Sequence, residues 1–308
     1  MKLKIRGHFL IVFKSSLLLK FFGLFILTIY SNLVIAQDLV GTSKQILGNY
    51  IVGTISSNTP DFIKYLDAEY KYSADNPDDI SITALSAISE DANSSFFNQT
   101  TITRHDDNTT LNLGFGYRSL LNDDKYIVGL NLFYDREINV THQRFGVGIE
   151  FLTSIFDIRS NYYESFSDTK LVEKNETEKA LDGWDVRLDY YIPRNMVGDY
   201  SVSAFVELYD WSESGGDFTV DGYKVGFASN LYRNFYLETG IDDDGTNDKD
   251  FYLVLNYAFK FDDEEIGASV GQEGLAFESV RHRMYEKVLR ENRIIKVVKG
   301  AVKVKRGN

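Results

Sequence analysis

Four histidines, His8, His105, His142 and His282, and a complete absence of cysteine limit the chemistry open to this chain. Without cysteine there is no thiolate zinc site, no thiol nucleophile and no disulfide framework. No two histidines stand at metal-ligand spacing, so each reads as a polar loop or lumen residue. No regular period brings a Ser/His/Asp set together, so the chain is not read as an enzyme, and no metal or other cofactor is expected. The acidic run Asp242-Asp243-Asp244, with Asn247, Asp248 and Asp250, could hold calcium or bridge lipopolysaccharide through cations. It lacks EF-hand spacing and reads as a solvated loop. What stands out instead is a set of charges on alternating segments: Arg118, Arg144, Glu150, Arg159, Asp185, Arg187 and Asp189. Charges in such positions either pair across a polar interior and set its register, or hold something lying inside it. The sequence leaves both roles open.

The elements that carry these charges repeat with a period of two. In Arg144–Phe151, Phe145, Val147, Ile149 and Phe151 share one face, while Arg144, Gly146, Gly148 and Glu150 share the other. The same division recurs in 110–118, 184–192 and 251–261. Segments near 63–73, 79–89, 95–104, 125–136, 156–165, 200–210, 220–230 and 233–242 complete a series of about twelve strands of roughly ten residues each.

A soluble sandwich would turn the apolar faces inward, whereas a membrane barrel turns them onto lipid. Three features favour the barrel. Ten residues at about 45° tilt match a bilayer crossing, while soluble strands average five or six. Glycine alternating with charge suits a crowded or wet lumen. The two longest connections, Ser167–Leu181 and Trp211–Thr219, both follow odd-numbered strands, as the extracellular loops of bacterial barrels do. Tyrosines near the strand ends, including Tyr70, Tyr72, Tyr117, Tyr134, Tyr190, Tyr209 and Tyr257, would then form interfacial girdles. The expected fold is an all-β transmembrane antiparallel barrel of about 12 strands.

Both ends of the chain are basic, although its net charge is -12. Lys2, Lys4 and Arg6 precede the apolar run 21–30, and Val34 and Ala36 are small residues ahead of Gln37. This is the pattern of a signal peptide over 1–36 cleaved between Ala36 and Gln37, with an N-terminal anchor as the competing reading. Residues 37–62 read as a short periplasmic segment, 63–261 as the barrel, and 262–308 as a linker and basic tail. From Ser279 to Asn308 ten Lys/Arg face two acids. Arg281, Arg283, Lys287, Arg290 and Asn292 lie in this segment, which reads as a helix over 279–290 followed by an extended stretch. Threaded through an acid-lined lumen, it would be held by charge focusing. The competing reading leaves it in the periplasm or on anionic lipid. The acidic chain is not expected to bind nucleic acid.

Several segments resemble one known family. The run Val128-Gly-Leu-Asn-Leu-Phe-Tyr-Asp135, then His142-Gln-Arg-Phe-Gly-Val-Gly-Ile-Glu150, then Gly183-Trp-Asp-Val-Arg187 with Tyr191-Ile-Pro193, resembles the β-domain of inverse autotransporters, the intimin and invasin group. Arg290-Glu-Asn292 looks like part of the segment that follows the barrel in that family. The resemblance spans about residues 63–298 and implies a twelve-stranded bacterial outer-membrane barrel. It further implies type V secretion, in which the barrel passes a C-terminal passenger through its lumen to the cell surface. Its implied partners are outer-membrane lipid and lipopolysaccharide, with the Sec translocon, periplasmic chaperones and barrel-assembly machinery during biogenesis. Here the sequence stops at Asn308, so a passenger is read as absent or minimal, and adhesion and a host ligand are left unassigned. The alternative is a plain pore or structural barrel with a periplasmic tail.

Overall fold

The computed structural model describes residues 60–173, 176–198, 200–232, 234–245, 249–260 and 276–300. The signal-peptide reading, the Ala36/Gln37 junction, the segment before Pro60, most of the 262–278 linker and the last eight residues lie outside them. In chain order the strands are β1 (Ile63–Ser73), β2 (Asp79–Asp91), β3 (Ser94–His105), β4 (Asn108–Leu121), β5 (Tyr126–Glu137), β6 (Gln143–Thr153) and β7 (Phe156–Ser165). There follow β8 (Lys170–Glu173), β9 (Glu176–Ala180), β10 (Asp182–Tyr191), β11 (Ser201–Ser212), β12 (Thr219–Tyr232), β13 (Phe235–Asp243), β14 (Asp250–Lys260) and β15 (Lys296–Gly300).

β1–β7 and β10–β14 form a closed barrel, each strand antiparallel to its neighbours, with β1 pairing both β2 and β14. Closure leaves no free edge, the condition for a sheet in hydrocarbon, where each unpaired backbone group costs several kcal/mol. The twelve barrel strands coincide with the twelve alternating segments of the sequence. A further pair, β8 and β9, rises from the connection between β7 and β10 and is joined by β15 in a separate three-stranded sheet. That sheet was not anticipated.

The orientation of the faces is unambiguous. Leu130, Leu132, Phe145, Val147 and Ile149 are each about half exposed or more, while Asp135 and Arg144 on the same strands are wholly buried. The apolar faces therefore point outward and the charged faces inward, the reverse of a soluble sandwich. Tyr70, Tyr72, Tyr117, Tyr190 and Tyr257 lie on the outer surface. Tyr209 does not: it faces the lumen and donates a hydrogen bond to Asp242 at 2.6 Å. Its inward position follows from the register of β11, in which Phe205, Tyr209 and Trp211 share the inner parity. Among the described residues no helix is long and apolar enough to cross a membrane.

Two glycines on the inner face make room for large neighbours. The ring of Phe97 lies where a side chain on Gly116 would start, and a Cβ on Gly146 would fall 2.7 Å from Arg290 Nη2. The glycine that alternates with charge is thus a packing requirement of a filled lumen.

A lumen crossed by the basic segment

The barrel has two ends. One carries the start of β1, the end of β14 and the short turns such as Ser154–Ile155; it is called the near end here. The far end carries the 138–142 and 166–181 connections. Residues 276–300 run through the lumen from the near end to the far end. At the near end the Glu278 amide donates to Ser154 Oγ and the Val280 amide to the Asp124 carbonyl. At the far end Val297 pairs with Lys179 in the β9–β15 ladder.

The helix read over 279–290 contracts to one 3-10 turn, Arg281–Arg283, with turn hydrogen bonds running on to Glu286, and residues 287–295 are neither helix nor strand before β15 begins. The reason is competition for backbone groups. A helix would consume its own carbonyls internally, whereas here side chains of the wall bind them. Arg118 donates to the carbonyls of Met284 (3.0 Å) and Glu286 (2.5 Å), Gln99 to that of Val288 (3.3 Å) and Asn161 to that of Leu289 (3.2 Å). Arg144 donates to the Glu291 carbonyl (2.7 Å) and Asn112 to that of Asn292 (2.8 Å). In return the Val288 amide donates to Gln99 Oε1 and the Glu291 amide to the Tyr163 hydroxyl.

The side chains of the segment form a ladder of cations against acids of the wall. Arg281 meets Asp124 at 2.8 Å, and Arg283 meets Asp157 at 2.6 Å. Lys287 reaches Glu69 (2.5 Å) and Asp67 (3.1 Å). Both guanidinium nitrogens of Arg290 donate to the two oxygens of Asp135 at 2.7 Å, a bidentate geometry that fixes orientation as well as charge. Lys296 meets Glu137 (2.8 Å) and Glu178 (2.9 Å), and Lys299 meets Glu213 (2.6 Å). Arg290 also lies over the Phe133 ring at 4.2 Å. Between these contacts Val280 and Met284 pack with Leu120, Ile127 and Leu152, and Val288 packs with Phe97 and Phe133.

The charges singled out from periodicity divide between two roles. Arg118 and Arg144 touch the segment directly, and each is also locked to the wall, by Glu150 and Asp135 respectively. Arg159 bridges Asp157 and Asp189 and lies 4.0 Å from Glu286. Asp185 accepts hydrogen bonds from Asn161 and Tyr163, the two residues that hold Leu289 and Glu291. Arg187 pairs with Asp189 of its own strand and with Glu238 of β13, three strands round the barrel, and so braces the wall. Asn292 contributes its carbonyl. The acids Asp67, Glu69, Asp124, Asp157 and Glu178, which meet the segment from the wall, a turn and β9, went unread in the sequence. Asp157 shares the parity of Arg159 and was within reach of the same rule.

Among the described residues of the acidic run at the far end, Asp242, Asp243 and Asp250 meet protein donors. Asp242 accepts from Tyr209, Asp243 pairs with Lys249 at 3.2 Å, and Asp250 accepts from the Asn76 side chain and the Asp75 amide. Asn247 and Asp248 lie outside the described residues. On the β11–β14 side the segment leaves a polar cavity of about 340 Å³ bordered by Lys71, Glu207, Lys224 and Arg293.

Residues 42–292 match the family model for the inverse autotransporter β-domain. The chain belongs to that family. Its relatives include a putative attaching and effacing protein homolog of Escherichia coli (strain K12), 31% identical over 155 residues that make up 47% of this chain and 52% of the relative. The inverse autotransporter adhesin YeeJ of the same strain is 29% identical over 101 residues, 32% of this chain and 4% of that protein. The chain thus spans about half the length of the first of these curated relatives and a small part of the second. A solved structure from a study of in-meso crystallization of membrane proteins superposes over 76% of this chain and all of its own, at TM-score 0.63 and 21% identity. That likeness supports the barrel fold. Fold and family together make this inverse autotransporter β-domain a barrel of the bacterial outer membrane.

Proposed function

We propose that this barrel conveys its own C-terminal segment through the lumen to the cell surface, in the manner of type V secretion. The observation that carries the reading is the path of residues 276–300. The barrel's own termini lie at the near end, while β15 lies at the far end. If the near end is periplasmic, as the short turns suggest, a chain leaving β15 emerges outside. The ladder of ion pairs then serves to seat the segment after passage and to close the pore. Residues 37–62 serve as a short periplasmic lead, 63–261 as the barrel and 262–308 as the linker. Export through the Sec translocon with removal of 1–36, periplasmic chaperoning, insertion by the barrel-assembly machinery and contact with lipopolysaccharide complete the proposal. The role of the emergent end in adhesion, suggested by the names of the relatives, is not part of it.

The test is an epitope with a protease-cleavable site placed after Asn308. Protease added to intact cells is expected to remove it. Protection on intact cells, with cleavage only after the outer membrane is permeabilised, would defeat the reading. A second reading, a plain pore, draws on the cavity beside the segment. It predicts planar-bilayer conductance that is large for the full chain and unchanged when 276–308 are deleted; the translocator reading predicts a small conductance that rises on deletion.

A further inference from the structure

At the far end three side chains converge that no regular spacing connects. Glu137 is the last residue of β5, His142 immediately precedes β6, and Glu178 is the middle residue of β9. One ligand atom from each lies within 4.8 Å of the other two. His142 is wholly buried and its Nε2 makes no hydrogen bond. Its Nδ1 lies 3.0 Å from Ser167 Oγ, which can fix the tautomer with the proton on Nδ1 and leave the Nε2 lone pair directed at the two carboxylates. The second oxygen of Glu137, itself buried, also has no hydrogen-bond partner. Two carboxylates and an imidazole lone pair facing one another repel unless a cation lies among them. Lys296 supplies one positive charge, 2.8 Å from Glu137 Oε1 and 2.9 Å from Glu178 Oε2, and leaves the other Glu137 oxygen and His142 Nε2 unmet.

We infer that Glu137, His142 and Glu178 form a binding site for a divalent transition-metal ion of the zinc class, for which the Lys296 ammonium competes. A dication would neutralise both carboxylates and take the imidazole lone pair, which an ammonium does not do here. The mixed nitrogen and oxygen donors favour zinc over calcium or magnesium, which prefer oxygen alone. Tetrahedral zinc with bonds of about 2.0–2.1 Å sets its ligand atoms about 3.3 Å apart. His142 Nε2 and Glu178 Oε2 are 3.8 Å apart and no pair of the three exceeds 4.8 Å, so the side chains close by at most about 1.5 Å to reach that spacing. Three protein ligands leave a fourth position for water. Because the ion and the ammonium repel at this range, metal binding and docking of the first residue of β15 oppose each other.

The experiment is calorimetric titration of zinc chloride into the full chain refolded in detergent micelles, with heat-modifiable migration on gels to verify the barrel in each variant. One equivalent of zinc is expected to bind. His142→Ala and Glu178→Gln are expected to abolish the saturable heat, the second of these preserving side-chain shape. Lys296→Gln is expected to tighten binding by about tenfold or more, since it removes a unit charge beside the ion. No saturable binding by the wild-type chain up to about 1 mM zinc would overturn the inference, as that limit corresponds to only about 4 kcal/mol. Undiminished binding in His142→Ala would overturn it equally, because the ion would then sit elsewhere.

Discussion

Asp135 accepts from Arg290, Arg144 and Asn112 and is wholly buried, so it is the acid on which the grip on the segment converges. Removing one member of a buried pair strands its partner, at a cost of about 3–5 kcal/mol, whereas the intact pair adds little net stability. Asp135→Asn strands two guanidinium groups and is expected to lower stability more than Arg290→Ala, which leaves Asp135 with Arg144. Urea unfolding in lipid vesicles ranks the two. At the near-end mouth, burial lowers the pKa of His282 below its ordinary value, with Glu286 acting in the opposite sense. The unfolded chain therefore binds the extra proton first as pH falls, and stability is lost on going below about 6.5, the ordinary histidine value. Brief channel openings in planar bilayers are expected to become more frequent at pH 5 than at pH 7.5, and His282→Asn is expected to reduce that difference. Periodicity revealed Arg118 and Arg144 because each sits on a strand whose faces separate cleanly. It missed the convergence of Glu137, His142 and Glu178, since Glu178 arrives from a loop whose course no local rule specifies.

At the scale of elements the barrel strands were legible because a two-residue period over ten residues admits few other structures. The β8–β9 hairpin was not. Its residues, Lys170–Glu173 and Glu176–Ala180, are largely charged and read as an ordinary polar loop. They gain strand structure from pairing with β15 and from Val297, which packs with Tyr163, Leu181 and Trp211. The helix expected over 279–290 failed for the complementary reason, that tertiary hydrogen bonds override local propensity. Replacing the hairpin residues 168–179 with a short glycine-serine linker is expected to leave the barrel assembled and heat-modifiable, because no barrel strand relies on β8 or β9 for pairing. The same change is expected to expose 296–300 to protease, read by mass spectrometry of the fragments.

For the whole molecule, the placing of apolar faces on the outside sets the energetic terms with the bilayer. Ile149 lies mid-strand with 57% of its surface exposed. Arginine there should cost about 2–4 kcal/mol in lipid-inserted protein, as expected near the bilayer midplane. Folding titrations in vesicles are expected to show that loss, while Arg144, one strand-end away and facing inward, already carries the same charge without it. The lumen carries a further implication. Six of the wall's contacts to the threaded segment end on peptide carbonyls, at Met284, Glu286, Val288, Leu289, Glu291 and Asn292. A peptide oxygen is the same whichever residue bears it. Descendants of this gene are therefore free to rewrite much of that stretch while retaining its seat, with Arg283 and Arg290 as the letters least open to revision.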